Sequence, residues 1–102
     1  VSSGDLRINT ENIKRAVCKF YNITIKDIES SKKIRSLAFP RQVAMFLCRE
    51  LTSSSLPKIG GSFGGRDHTT VLHACQKIKK EIFSDENVSK DIETLKEIIN
   101  ES

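Results

Sequence analysis

The chain has no tryptophan, one tyrosine, one methionine, two prolines and five glycines among its 102 residues. So little proline and glycine argues against a disordered chain and against the many tight turns of an all-β domain, and favours helix. Apolar runs of about 20 residues, the length that crosses a bilayer, are missing. The opening Val1-Ser2-Ser3-Gly4-Asp5 has neither the basic nor the apolar stretch of a secretory signal. It also lacks an initiator methionine, so the expectation is a cytoplasmic fragment in which residues 1–8 connect to a preceding domain. Cysteine is scarce: Cys18, Cys48 and Cys75 are odd in number, show no Cys-x-x-Cys spacing and sit among apolar residues. They read as reduced core thiols rather than a disulfide framework or a zinc site.

Acidic residues are nearly absent from the middle of the chain. Residues 30–80 hold ten Lys/Arg against two Asp/Glu (net +8), whereas residues 1–29 carry +1 and residues 81–102 carry −5. A basic centre of that strength points to a polyanion partner. The length suits one domain with a modest core, and 37% hydrophobic with 29% charged residues is ordinary for a globular protein.

The apolar spacing predicts a helix over 9–21, with Asn9 or Thr10 as cap, Ile13, Ala16, Val17 and Phe20 inward, and Lys14, Arg15 and Lys19 on the polar face. A single helical turn follows at 25–29, then a basic connection at 30–36. Pro40 is expected to start a second long helix, with Val43, Ala44, Leu47, Cys48 and Leu51 inward. Ser55-Leu56-Pro57-Lys58-Ile59 repeats a capped start, and Gly60-Gly61 is expected to end that helix within two turns. The bend Ser62-Phe63-Gly64-Gly65, with Phe63 as an apolar peg, leads to a long helix over about 67–84. That pairing is a helix-turn-helix at about 55–84. A last amphipathic helix over 86–101 carries an acidic outer face. The expected fold is an all-α compact helical domain spanning 9–101.

The most informative stretch is Gly64-Gly65-Arg66-Asp67-His68-Thr69-Thr70, a glycine hinge that opens into a helix with a polar first turn. At 3.6 residues per turn, Arg66, Thr69, Thr70, His73 and Lys77 share one stripe, and Val71, Ala74, Cys75, Ile78 and Ile82 the other. Such a helix can bury one face and offer the other to duplex DNA. Thr69 and Thr70 can set methyls against a thymine methyl or hydroxyls against base acceptors; His68 can donate to a purine edge, and Asp67 can accept from a cytosine amino group. Arg66, Arg41, Gln42, Arg49, His73 and Lys77 are placed for phosphates. Blander roles compete with these: Asp67 is also a good N-cap, and His73 and Lys77 are also ordinary surface residues.

Other chemistries fit less well. His68 and His73 are five apart rather than four, and no further histidine is present to complete a metal site. Cys75 and His73 do not form a nucleophile–base pair, and no phosphate-binding loop of the G-x-x-x-x-G-K-[ST] type occurs, so catalysis is not expected. An RNA-binding basic module would need exposed aromatics for stacking, yet Phe39, Phe46 and Phe63 have core-like placement. A helix-turn-helix transcriptional regulator is the nearer alternative.

Ala38-Phe39-Pro40-Arg41-Gln42-Val43-Ala44-Met45, Ser55-Leu56-Pro57-Lys58-Ile59-Gly60 and Phe63 through Ala74 closely resemble the carboxy-terminal DNA-binding domain (domain IV) of the bacterial chromosomal replication initiator DnaA. The resemblance runs from about residue 8 to 99. It implies a Trp-repressor-like helix-turn-helix that binds nine-base-pair DnaA boxes at the replication origin, as part of a larger initiator that binds ATP or ADP in another domain. Base readers would be Asp67, His68, Thr69 and Thr70. Phosphate contacts would be Arg41, Gln42, Arg49, Leu56, Pro57, Lys58, Arg66, His73 and Lys77. Where relatives usually carry a minor-groove arginine this chain has Lys33, with Arg35 as a possible substitute and Ile34 in place of a polar residue. The implied partner is double-stranded DNA, with other initiator copies reached through other domains. The fragment itself is expected to be a monomer with no cofactor and no membrane span.

Overall fold

The computed structural model describes residues 8–30 and 34–101. Along the described residues six helices follow one another: α1 (Thr10–Tyr21), α2 (Ile25–Glu29), α3 (Arg35–Leu51), α4 (Leu56–Ser62), α5 (His68–Ser84) and α6 (Glu86–Glu101). The expected connector at 1–8 falls almost wholly outside them, as do residues 31–33 with Lys33.

Short polar side chains set most of the starts; α3, preceded by Ile34, has no side-chain cap. Asn9 accepts from the Asn12 N–H at 2.9 Å and Ser55 from the Lys58 N–H at 3.3 Å. Thr24 and Asp27 cap each other's backbone in a reciprocal box. Helix α1 ends at Asn22 in the left-handed conformation (φ 58), which asparagine tolerates better than most residues.

Helix α3 is the axis of the domain. Val43 through Cys48 are buried without a break, the mark of a helix covered on every side. It packs on α1, α2, α4 and α5, while α6 closes the remaining side against α1 and α5. Ile13, Val17, Ile28, Leu47, Ile78 and Leu95 meet in the shared core with no exposed surface. Phe63 is equally buried and fills the space under the helix-turn-helix bend, as a peg residue should. The three cysteines are free thiols, Cys18 and Cys48 buried and Cys75 half-buried. Burial pushes Cys48 up to about 12 and Cys18 up to about 11, so neither is a thiolate at neutral pH.

The structure corrects three expectations. Helix α3 begins at Arg35, so Pro40 lies inside it. The first turn is closed by a tight Leu37 N–H to Ile34 carbonyl bond of 3.0 Å. Burial of Leu37 and Pro40, with Phe39 edge-on to Tyr21 at 6.0 Å, offsets the backbone bond that proline cannot make. Helix α4 ends within two turns as expected, but at Ser62 and not at the glycines, because Gly60 is there for contact and not for termination. A Cβ at Gly60 would stand 2.0 Å from the Arg66 carbonyl oxygen, and that backbone also returns an N–H to the Gly60 carbonyl at 3.0 Å. Lys14 is the third: placed by spacing on a polar face, it is only 2% exposed. Its ammonium lies between Glu29, the Ser62 carbonyl and the Phe63 ring.

Candidate nucleic-acid interface

The bend delivers the chain to the start of α5 through two left-handed glycines, Gly64 (φ 82) and Gly65 (φ 74). A residue with a side chain would be strained at either position. Asp67 then caps α5, and its Oδ1 accepts three hydrogen bonds. They come from the Thr69 hydroxyl (2.6 Å), the Thr70 N–H (2.9 Å) and the Thr70 hydroxyl (3.1 Å). These donors, the Thr69 hydroxyl foremost, hold the Asp67 carboxyl down at about 2.

The geometry has a chemical consequence. Both threonine protons face Asp67, so each threonine offers outward a methyl and the acceptor side of its oxygen. Oδ2 of Asp67 has no hydrogen-bond partner among the described residues. Asp67, His68, Thr69 and Thr70 are all exposed and form one continuous tip.

A groove of about 770 Å³ runs beside that tip. Ile34, Arg35 and Gln42 line it from α3 and its N-cap, Gly64 and Gly65 from the bend, and Thr70, His73 and Lys77 from α5. Arg35 and His73 are exposed, and Lys77 is bonded to Gln42 Oε1 at 3.0 Å, joining α3 to α5 across the groove. Lys77 also lies 3.6 Å from Glu81, an exposed pairing that contributes little. Arg49 and Lys58 are exposed, Arg49 with one nitrogen on the Ser54 carbonyl at 3.2 Å. Pro57 is exposed and Leu56 half-buried at the start of α4.

Two arginines expected at phosphates are bonded to backbone carbonyls, Arg41 buried and Arg66 half-buried. Arg41 is 4% exposed and donates through Nε to the Ile28 carbonyl (3.0 Å) and through Nη2 to the Asp27 carbonyl (2.9 Å). It thereby caps the carbonyl end of α2, where a cation is favoured. Arg66 precedes the cap Asp67, so it is not on the α5 stripe at all; its Nη1 joins the Ser30 carbonyl (3.2 Å) to the Phe63 carbonyl (2.8 Å). Burial lowers both guanidinium values, and for Arg41 the neighbouring Arg66 adds to the effect. The single-helix periodicity used for the sequence could not see either role, because both are contacts to another element's backbone.

Among the described residues no three His, Cys, Asp or Glu side chains gather as metal ligands. No helix there is long and apolar enough to cross a membrane.

The family model described as "Bacterial dnaA protein helix-turn-helix" matches residues 10–78. Curated relatives are also similar to the chain. The chromosomal replication initiator protein DnaA of Symbiobacterium thermophilum is 55% identical over 89 residues, covering 87% of this chain and 19% of that protein. That of Treponema denticola is 45% identical over 101 residues, covering 99% of this chain and 22% of the relative. That of Caldanaerobacter subterraneus subsp. tengcongensis is 50% identical over 99 residues, covering 97% and 22%. The chain thus spans about a fifth of the length of these relatives.

Proposed function

Because the chain belongs to the bacterial DnaA helix-turn-helix family, we propose that it binds double-stranded DNA at DnaA boxes of a replication origin, as the recognition part of a larger ATP-binding initiator. The observation that carries this reading is the α5 tip: four consecutive exposed polar residues beside a groove that Arg35 and Lys77 line.

The tip enters the major groove, which is about 12 Å wide and admits a helix. Thr69 and Thr70 set methyls against thymine methyls and accept from exocyclic amino groups, since their protons are held by Asp67. His68 donates to a purine edge, and Asp67 accepts a cytosine amino proton through Oδ2. Arg49, Lys58, His73, Lys77 and Gln42 contact phosphates, Leu56 contributes its backbone N–H, and Pro57 packs on the sugar edge. Arg66 keeps Nε and Nη2 for a phosphate while Nη1 fixes the bend. Arg41, with two nitrogens on backbone carbonyls, supports the wall of the groove and adds its field to it. Arg35, with Lys33 beside the described residues, serves the minor groove, where narrow A·T tracts attract cations. Lysine is more strongly hydrated than arginine and lacks its planar fork, so reading at Lys33 is looser than an arginine would give.

The domain binds and does not catalyse; ATP chemistry belongs to another part of the initiator. Competition for labelled box duplex by single-base variants, at stated salt, tests the reading. Box duplex should compete at least 10³-fold better than scrambled duplex. Equal competition by scrambled duplex or by single-stranded RNA would refute it.

A further inference from the structure

Lys14 lies on α1, outside the proposed DNA-reading tip, yet its ammonium is where two separate segments meet. It donates to Glu29 Oε2 at 2.5 Å, at the end of α2, and to the Ser62 carbonyl at 2.9 Å, at the end of α4. It also stands 5.5 Å from the centroid of the Phe63 ring, within cation–π range. The same two segments touch twice more. Arg66 joins the Ser30 and Phe63 carbonyls through one nitrogen. The Glu29 carbonyl oxygen fills the space a side chain at Gly64 would need, 2.4 Å from an added Cβ.

We infer that the Lys14–Glu29 pair is a positioning device that couples the two DNA-reading limbs, so that minor-groove and major-groove recognition are not independent. This rests on the proposed function. Ile28 and Asp27, next to Glu29, are bonded through Arg41 to α3, whose first residue, Arg35, belongs to the minor-groove limb. Residues 62–66 lead directly into the α5 tip. With an ammonium 2% exposed between them, one segment cannot shift without breaking a bond to a buried charge. Lys14 touches no nucleotide in this scheme; it transmits the position of one limb to the other.

The test uses the 102-residue chain and four duplexes: a box, a box with its minor-groove A·T pair changed, a box with one major-groove pair changed, and a box with both. The ratio of the four Kd values is the coupling, expected to differ from unity by about fivefold or more in the unaltered chain. A lost fold would lower all four affinities alike and leave that ratio unchanged. Lys14→Met combined with Glu29→Leu removes both charges together, so that neither the buried ammonium nor the 40%-exposed carboxylate is left without its partner, and should bring the ratio to unity while circular dichroism still shows a helical fold. Lys14→Arg should restore it, and Glu29→Gln, which keeps a weaker hydrogen bond, should give an intermediate ratio. A ratio of unity in the unaltered chain overturns the coupling, as does an undiminished ratio in the double variant. Failure of the unaltered chain to prefer box over scrambled duplex overturns the functional reading first, and the coupling with it.

Discussion

Thr70 gives Asp67 both its backbone N–H, at 2.9 Å, and its hydroxyl, at 3.1 Å, and both reach the same oxygen, Oδ1. Helix capping therefore uses Oδ1 alone, which leaves Oδ2 for the base contact proposed above. The two roles can be separated by mutation.

Asp67→Asn keeps an acceptor for the cap but turns the outward atom into a donor. Asparagine caps about as well as aspartate, so the Tm should stay within a few degrees. Box affinity should fall, with preference lost at the one base pair that Oδ2 reads. Asp67→Ala should lower both. Thermal melts beside the single-base competition set decide it, and a Tm drop for Asn equal to that for Ala would mean that the charge, and not the acceptor, holds the cap.

The same carboxylate sets an acid response. Its value in the folded state is depressed to about 2, below the ordinary carboxylate range, chiefly by the Thr69 hydroxyl and then by Thr70. A depressed value means stability that is fully present above about pH 4 and lost as the pH falls toward 2. Melts of the unaltered chain and Asp67→Asn should run parallel from pH 7 to 5 and then converge or cross between pH 4 and 2. An NMR titration of the Asp67 side-chain carbon locates the midpoint directly, and an ordinary value near 4 would contradict the triple hydrogen bond.

Much of this was legible in the chain. Polar caps at Asn9, Ser55 and Asp67 and the apolar stripes between them located the helices, because a cap and a 3.6-residue period are local signals. The tip at 67–70 was legible for the same reason. The errors came where one element is answered by another. Pro40 read as a helix start because its packing partners are remote, and Gly60 read as a stop because the Arg66 backbone that crosses it comes from the following turn. Lys14 and Arg41 read as surface cations, and the Arg66 bonds went unseen, because local sequence does not show the remote carbonyls these side chains reach.

Adjacent glycines in α4 should respond oppositely. Gly61 has nothing within 4 Å of an added Cβ, so Gly61→Ala should stabilise the domain by about 0.5–1 kcal/mol through a less flexible unfolded chain. Gly60→Ala meets the Arg66 backbone at 2.0 Å and should destabilise by about 1–3 kcal/mol, with the α5 tip displaced. Gly64→Ala adds a left-handed φ of 82 to its clash and should cost roughly 2 kcal/mol or more. Urea unfolding of the three variants ranks them.

Cations on and under the interface should separate by the observable they change. Lys58 is exposed at the start of α4, so Lys58→Ala should leave the Tm almost unaltered, weaken box and scrambled duplex alike, and reduce the slope of log K against log salt by about 1. Thr70→Ala should keep the salt slope and lose about 1–3 kcal/mol of discrimination at one base pair. Arg41 is buried on two carbonyls at the end of α2, so Arg41→Ala strands polar groups in the interior and should destabilise the fold by roughly 2 kcal/mol or more. Salt-dependent anisotropy beside urea melts distinguishes the three. Were Arg41→Ala to fold with full stability and lower the salt slope as Lys58→Ala does, the inward role of Arg41 would be wrong, and that guanidinium would turn out to phosphate on binding.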